Sequence, residues 1–233
     1  MDMNNNVWIS VSDLMTGLMV IFLFVSIAYI KRVQDNQTVL TDYVETKTEL
    51  HEKFVSEFKG DTAKWQMSIG RDLSMKFKNP SVLFAQGSYE LTTDFQQILN
   101  DFLPRYLDIL LRDSLRNNIK EIRIEGHTDD VPIPSYDQDP YIANVILSQQ
   151  RALSVLRYLR TSASFQHYSD YEKQLLEFWF TSNGLSFGRA LDAHGQYTLE
   201  SGQEIDKAKS RRVEFRIVTK GDEVLENFVN ENK

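Results

Sequence analysis

The sequence predicts a single N-terminal transmembrane helix, a helical linker and a C-terminal α/β domain of the α+β sandwich type. Three observations support this: a long apolar run near the start, a polar stretch without proline after it, and strand and helix patterns that alternate through the rest. The predicted segments are a short N-terminus at 1–6, the transmembrane helix at 7–30, the linker helix at 31–64, the folded domain at 65–221 and an acidic tail at 222–233.

The composition excludes several classes of protein. The 233 residues are 42% hydrophobic and 25% charged, which suits one globular domain with appendages. A net charge of -7 argues against direct binding of nucleic acid. The chain has no cysteine and no histidine pair at metal-ligand spacing, so we expect neither a metal nor another cofactor. Phosphate-loop and nucleophile-elbow motifs are also missing, and nothing in the sequence favours an enzyme.

The run VWISVSDLMTGLMVIFLFVSIAYI, residues 7–30, predicts the transmembrane helix. At a rise of about 1.5 Å per residue it would span roughly 36 Å, enough for a bilayer core. A cleaved signal peptide is the alternative, and it would need a basic start and a cleavage site between small residues. Neither MDMNNN nor SIAYIKR meets these needs, so we expect an uncleaved anchor.

Asp13 is the only side chain in this run that we expect to carry a charge. On a helical wheel Ser10, Thr16 and Gly17 lie within about 60° of it, and bulky apolar residues lie opposite. A carboxylate at the centre of a membrane costs about 3 kcal/mol on insertion scales, which predicts a function such as carrying protons. A cap at the start of a shorter helix is the alternative role for this residue.

The linker, residues 31–64, is polar and helix-prone. Its apolar residues recur at spacings built from three and four residues, which predicts a helix that pairs with a partner. These residues are Val33, Leu40, Tyr43, Leu50 and Phe54. A solvated linker helix is the alternative, because Asn36 and Lys47 interrupt the series.

Strand and helix patterns alternate in the domain. We predict a strand near 72–77, a helix over 93–113, a strand at KEIRIEGH, a helix over 140–161 and a last strand at RRVEFRIV. The aromatic region 162–182 fits either an extension of the core or a dimer surface. We expect the acidic tail to be loosely ordered at its end.

The motifs EGHTDDVP, NVILSQQRALSVLRYL and RRVEF together resemble the peptidoglycan-binding domain of the OmpA family. The double aspartate and proline of HTDDVP are most similar to its MotB branch, and VLFAQGSYELT resembles the family's first segment. The resemblance covers Leu73 to Thr219. Independently, WISVSDLMTGLMVIFLF resembles the membrane helix of stator-type proteins, in which an aspartate precedes an apolar run rich in methionine.

This resemblance implies a ligand, the diaminopimelate-containing stem of peptidoglycan. The ligand presents an ammonium and a carboxylate close together, so its pocket needs an anion and a bidentate cation. By motif position Asp129 would bind the ammonium and Arg151 the carboxylate. Thr128 and Asn144 would form hydrogen bonds around them. Arg212 is the remaining expected binding residue; it lies in a Ser-Arg-Arg where many members of the family have Asn-Arg-Arg, so the first position departs from the family pattern.

The resemblance also implies an assembly. Stator-type chains form a homodimer within five copies of a MotA-like multi-pass membrane protein and drive a motor with protons. Peptidoglycan binding would place residues 1–6 in the cytoplasm and the linker and domain in the periplasm of an inner-membrane protein. Lys31 and Arg32 favour the opposite orientation by the positive-inside rule, but that rule is a statistical bias.

The type of stator follows from the ends of the membrane helix. The short N-terminus is not basic and no proline precedes Pro80. Both features are more similar to the stator-like subunits of Zorya-type anti-phage systems than to flagellar MotB proteins. A tether that conducts nothing, in which Asp13 only pairs helices, is the alternative from another class.

Overall fold

One helix forms the N-terminal part of the structure. In the computed structural model, which describes residues 3–85 and 87–231, α1 runs from Met3 to Phe58 without a break. It therefore continues through the predicted N-terminus, membrane helix and most of the linker, and at about 1.5 Å per residue it is roughly 84 Å long. Within it, Val11–Gln34 is long and apolar enough to cross a membrane, and none of this segment is buried inside the chain.

A mixed α/β domain follows α1. Its elements are β1 (Met67–Ile69), β2 (Ser74–Phe77), α2 (Pro80–Leu83), α3 (Thr93–Leu110), α4 (Asp113–Arg116), β3 (Ile119–His127), α5 (Pro140–Thr161), α6 (Ala163–His167), α7 (Asp170–Trp179), β4 (Phe180–Gly184), α8 (Thr198–Ser201), α9 (Lys207–Ser210), β5 (Arg212–Thr219) and α10 (Lys220–Glu231). The strands form one sheet in the order β1-β2-β5-β3-β4. The predicted α/β sandwich is confirmed.

Only the pair β3–β4 is parallel among the described strands, and the connection between them contains α5, α6 and α7. The helices α3 and α5 pack on one face of the sheet. On that face alternate residues of the central strands are buried, as expected for side chains that point to opposite faces in turn. Ile122 and Ile124 of β3 face the core together with Val213, Phe215 and Ile217 of β5.

The last turns of α1 belong to the domain core. Leu50, Phe54 and Phe58 are fully buried there. The ring of Phe54 stacks on Tyr106 of α3 with ring centroids 5.4 Å apart, and the ring of Phe58 lies 5.2 Å from that of Phe102. The periodic spacing that predicted a partner helix is satisfied at these positions by the chain's own domain. The linker, expected to end at 64, therefore gives way to the domain by Leu50.

Ion pairs fix α1 at two further places. Asp222, at the start of α10, accepts a hydrogen bond from Lys47 at 2.7 Å and another from the Tyr43 hydroxyl at 3.0 Å. On the other side Arg105 of α3 pairs with Glu57 at 2.7 Å. Lys47, which interrupts the apolar series of the linker, is thus an ion-pair partner of the domain. The predicted acidic tail is helical through Glu231, and its last two residues lie outside the described part of the chain.

The aromatic region 162–182 extends the core. It folds into α6, α7 and most of β4, and Phe165, Leu176 and Trp179 are buried against the main cluster. A capping box at Ser169, whose side chain and backbone bond with Glu172, starts α7.

The opposite face of the sheet carries a buried set of charged residues, which we call the charge ladder: Glu125, His127, Arg212, Glu214 and Arg216. Glu125 lies opposite Glu214 and His127 opposite Arg212 in the antiparallel register of β3 and β5. Nε of Arg212 is 2.6 Å from Glu214, and Arg216 reaches Glu214 at 3.1 Å and Glu125 at 3.3 Å. The two arginines thus compensate the two carboxylates.

Burial and neighbouring charges lower the pKa values of the histidine and the two carboxyl groups in the charge ladder. Burial lowers the pKa of the His127 imidazole below its ordinary 6.5, and its ring nitrogens form no hydrogen bond to a described residue. Burial alone would raise the pKa of both carboxyls. The neighbouring His127 and the arginines more than offset this effect, so the pKa values of Glu125 and Glu214 fall below their ordinary 4.5.

The docking of α1 can be tested by truncating Phe54. Phe54→Ala leaves a cavity in a fully buried aromatic cluster and should lower the free energy of unfolding by about 3–5 kcal/mol. Val44→Ala, on the same helix at a position 57% exposed, is the control and should change it by less than about 1 kcal/mol. Urea titration of the full chain in detergent, followed by tryptophan fluorescence, measures both. Equal small effects would show that α1 is not part of the core.

The charge ladder predicts acid sensitivity. The pKa values of Glu125, His127 and Glu214 are lowered in the folded chain. The unfolded chain therefore binds protons that the folded chain does not, and the free energy of unfolding falls as the pH falls. The loss should begin near pH 6.5 because of His127 and continue below 4.5 because of the carboxylates. Urea titrations between pH 7 and pH 5 should show a smaller loss in His127→Gln than in the unmodified chain. His167→Gln, at an exposed histidine, should keep the full loss, and an unchanged slope in His127→Gln would refute the assignment.

Candidate ligand-binding cleft

A cleft of about 730 Å³ opens where β3 ends and the first turns of α5 begin. Its polar lining comes from His127, Thr128, Asp129, Asn144, Arg151, Arg211 and Arg212. Its apolar lining comes from Pro80, Leu83, Phe84, Ala85, Val131, Pro132, Ile133, Pro134 and Leu147. Four of the five predicted binding residues follow β3 or lie on α5, so the fold brings together positions that are far apart in sequence.

Close packing of α5 on the sheet positions the cleft. A side chain at Gly126 of β3 would lie 2.2 Å from the backbone oxygen of Ser148, and one at Gly184 of β4 would lie 2.5 Å from the backbone nitrogen of Gln149. Both strands therefore need glycine where the helix crosses them. The Asp139 side chain accepts bonds from two backbone N–H groups of the first turn and, with Pro140 after it, starts α5 at the mouth of the cleft.

Asp129 is 5% exposed and lies directly after β3. Its Oδ1 accepts a hydrogen bond from the backbone N–H of Val131 at 3.3 Å, and its Oδ2 lies 3.2 Å from Nη1 of Arg211. Asn144 holds the same loop, because its amide nitrogen donates to the backbone oxygens of Val131 and Pro140 at 3.0 Å each. The hydrogen bonds of Asp129 and Asn144 to the backbone thus hold the loop after β3 in place.

Arg151 is 7% exposed and lies deep in the cleft. Its Nε donates to the backbone oxygen of Ser88 at 2.9 Å, and its guanidinium lies 5.0 Å from the centre of the Phe84 ring. The pKa of this guanidinium is lowered to about 10, chiefly by burial and also by the nearby Arg211, while Asp129 acts against the shift. The group stays charged at neutral pH, and no described carboxylate forms an ion pair with it.

Several buried polar atoms of the cleft have no hydrogen-bond partner among the described residues. They are Thr128 Oγ1, Asp129 Oδ2, Asn144 Oδ1 and Arg211 Nε. Buried polar atoms are normally paired, so this group indicates a place for a ligand. Three of the atoms are oxygens, which accept hydrogen bonds, and they accompany the buried cation of Arg151. The arrangement can therefore bind a group that carries both an ammonium and a carboxylate.

Arg212 lies in the wall of the cleft, but its guanidinium is already bonded. Besides its bond to Glu214, it donates to the backbone oxygens of Ser210 at 3.1 Å and Arg189 at 3.2 Å. Arg211, which we did not predict, is the residue that reaches Asp129. The alternation of β5 offered a signal for this difference. Because Val213 faces the core, Arg212 faces the charge ladder, and Arg211, which precedes the strand, is not bound by this alternation.

A set of three side chains close enough to share a metal ion exists in the charge ladder. Ligand atoms of Glu125, His127 and Glu214 lie within 4.8 Å of one another. Arg212 and Arg216 already pair with these carboxylates, so the cluster has no uncompensated negative charge for a divalent cation. Its chemistry suits an internal ion-pair network and not a metal site.

Asp13, in the apolar segment, lies well inside α1, which begins at Met3. The alternative role as a helix cap is therefore wrong. On the same stripe the Thr16 hydroxyl donates to the backbone oxygen of Ser12 at 2.8 Å, and a side chain at Gly17 would meet nothing within 4 Å. The side chain of Ser10 lies outside the described residues. This stripe is thus open to another helix.

The chain is similar in sequence to one protein family profile and to proteins of known name. The OmpA family profile matches residues 83–168. A Zorya protein ZorB from the Crooks strain of Escherichia coli is 33% identical over 236 residues, covering 99% of this chain and 95% of that protein. A second Zorya protein ZorB, from Escherichia coli O139:H28, is 29% identical over 223 residues, covering 90% and 79%.

The chain also matches solved structures. A structure of the periplasmic domain of Helicobacter pylori MotB is 20% identical with a TM-score of 0.40, covering 68% of this chain and 84% of that one. The OmpA-like domain of FopA1 from Francisella tularensis is 17% identical with a TM-score of 0.37, covering 66% and 80%. The OmpA profile falls on the domain that holds the cleft. Since the match to the ZorB from the Crooks strain extends over nearly all of both chains, the chain belongs to the ZorB family of Zorya proteins.

Proposed function

We propose that the protein is a peptidoglycan-anchored, stator-like subunit of a proton-driven motor in the bacterial inner membrane, within a Zorya-type anti-phage defence complex. The observation that carries the proposal is the cleft, in which buried oxygens without a hydrogen bond lie near a buried arginine that forms no ion pair with a carboxylate of the described residues. Family membership supports the defence role over a flagellar one, because the relatives that match along most of the chain are Zorya proteins.

The polar groups of the cleft are complementary to the diaminopimelate group of peptidoglycan. An ammonium has three N–H donors, and Thr128, Asp129 and Asn144 each offer one buried oxygen without a hydrogen bond to a described residue, that of Asp129 being ion-paired with Arg211. Arg151 can take the neighbouring carboxylate in bidentate fashion, which would compensate a buried charge that is otherwise costly. The apolar wall, which includes Leu83, would cover the methylenes of the ligand. Arg212 supports this site by holding the strand that follows Arg211.

The continuous helix gives the anchor a mechanical consequence. Because the last turns of α1 are packed in the core, a domain held on the cell wall also holds the membrane segment. One charge that crosses 100 mV releases about 2.3 kcal/mol, and this work moves a partner only if the other part is held still. Asp13 would carry the proton, and Ser10, Thr16 and Gly17 would form the small polar face beside it.

The proposed assembly has this chain as a homodimer within five copies of a MotA-like multi-pass protein. The proposed topology is single-pass, with residues 1–6 in the cytoplasm, the membrane helix over 7–30 and the linker and domain in the periplasm, where peptidoglycan lies. The open stripe around Gly17 supports close helix contact with partners in the membrane.

The anchor can be tested by changing the two charged residues of the cleft. Asp129→Asn and Arg151→Gln should each weaken binding to purified peptidoglycan by about 30-fold or more, because each leaves its desolvated counterpart without a partner. Asp130→Asn is the matched control, since Asp130 is adjacent but 45% exposed and lies near Lys207. A pull-down of the full chain in detergent measures the bound fraction. Unchanged binding by both cleft variants, with unchanged circular dichroism, would reject the anchor.

The proton-carrying role can be tested at Asp13. Asp13→Asn keeps the shape and the hydrogen-bonding capacity of the side chain but cannot titrate, so the complex should assemble and lose all activity. Asp13→Glu keeps a titrating group and should retain part of the activity. Phage challenge of cells that carry the complete system measures activity, and blue-native gels measure assembly. Full protection by Asp13→Asn would leave the protein as a tether that conducts nothing.

A further inference from the structure

Arg211, the residue before β5, brings a second cation to the cleft. Its Nη1 lies 3.2 Å from Asp129 Oδ2, and its Nε is buried without a hydrogen-bond partner among the described residues. The side chain is 39% exposed, so it lies at the mouth of the cleft, whereas Arg151 lies deep and is fixed by Ser88. The two arginines therefore approach Asp129 from different depths.

The charges of the cleft do not balance. Asp130 lies 3.4 Å from Lys207, and Arg212 is paired with Glu214, so these four charges compensate one another in pairs. Arg151 and Arg211 remain against the single carboxylate of Asp129. The side chains of these three residues thus carry one excess positive charge. The proximity of Arg211 also contributes to the lowered pKa of Arg151. A ligand with one ammonium and one carboxylate is neutral and would leave this excess in place.

We infer that the cleft binds stem peptides in which diaminopimelate is the last residue, with the free second carboxylate of that residue on Arg211. This inference rests on the proposed peptidoglycan function. A terminal diaminopimelate presents one ammonium and two carboxylates, which compensate both arginines and Asp129. In a longer stem the second carboxyl is joined to the next residue as a neutral amide, and the free carboxylate lies one residue further along the stem, so Arg211 faces an amide at the position where the tripeptide has a charge.

Arg211 can exchange partners when the ligand enters. Its Nη1 lies beside Asp129 Oδ2, at the place that the ligand ammonium would take. Once the ammonium is bound there, the guanidinium is released for the second carboxylate, and the exposed fraction of the side chain gives it room to turn. The unpartnered Nε supplies a donor for that carboxylate, and Nε with one Nη gives the parallel geometry that arginine uses for carboxylates.

The test compares two purified muropeptides that differ by one residue, a disaccharide tripeptide ending in diaminopimelate and the corresponding disaccharide tetrapeptide. Isothermal titration of the full chain in detergent should show that the tripeptide binds about tenfold more tightly, as expected for one additional charge-assisted pair. Arg211→Gln should lower the tripeptide affinity to the tetrapeptide level and should not weaken tetrapeptide binding. Arg211→Lys, which keeps the charge, should retain part of the preference.

Lys207→Gln is the matched control, because Lys207 is a cation at the same end of the domain that is already paired with Asp130. It should leave the preference unchanged. Equal binding of both muropeptides by the unmodified chain would overturn this inference and leave the anchor proposal standing. Failure of the unmodified chain to bind either muropeptide would overturn both. Equal loss of both ligands in Arg211→Gln, with Arg211→Lys equally weak, would show that Arg211 only supports the cleft.

Discussion

The packing of three α1 side chains into the domain core is the contact on which the rest of the molecule depends. Leu50, Phe54 and Phe58 are fully buried, and each contributes about 1.5–3 kcal/mol of apolar burial. Without this contact α1 would be an amphipathic helix joined to the domain by a flexible end. With it, and with the ion pair between Lys47 and Asp222, the direction in which α1 leaves the domain is fixed. The position of the membrane segment thus depends on contacts made far outside the membrane.

The two polar regions of the sheet differ in one physical respect. In the charge ladder each buried carboxylate has an arginine within 3.3 Å, so the interior contains no net charge there. In the cleft, a few residues away, buried oxygens of Thr128 and Asn144 have no hydrogen-bond partner among the described residues, and no carboxylate in that part of the chain forms an ion pair with the buried Arg151. Burying polar side chains costs free energy in both regions, but only in the charge ladder do the buried charges pair with one another. The cleft, where polar atoms lack such partners among the described residues, is where the fold can bind another molecule.

Local sequence patterns were sufficient for some elements and not for others. Asp139 and Pro140 mark the start of α5 so clearly that its predicted range agrees with the structure, and the alternation of β3 and β5 was equally clear. By contrast β1 has three residues and β4, with the sequence FTSNG, has no alternation, so neither could be predicted from its own residues. The spacing around Leu50 fits a partner chain and the chain's own domain equally well, and contacts such as Lys47–Asp222 leave no local trace. The motif resemblance favoured Arg212 over Arg211, although the alternation of β5 already places Arg212 on the face of the charge ladder.

The continuity of α1 also links angular positions at its two ends. Each residue of a helix turns the chain by about 100° and advances it by about 1.5 Å, and α1 has no break between Asp13 and the buried Phe54. The face on which the carboxylate lies is therefore set by the number of residues between the two positions. One residue added between Gln34 and Tyr43 would rotate the carboxylate by about 100° about the helix axis, whereas seven added residues would return it to within about 20°. The length of this segment therefore determines the direction in which Asp13 points as well as its distance from the domain.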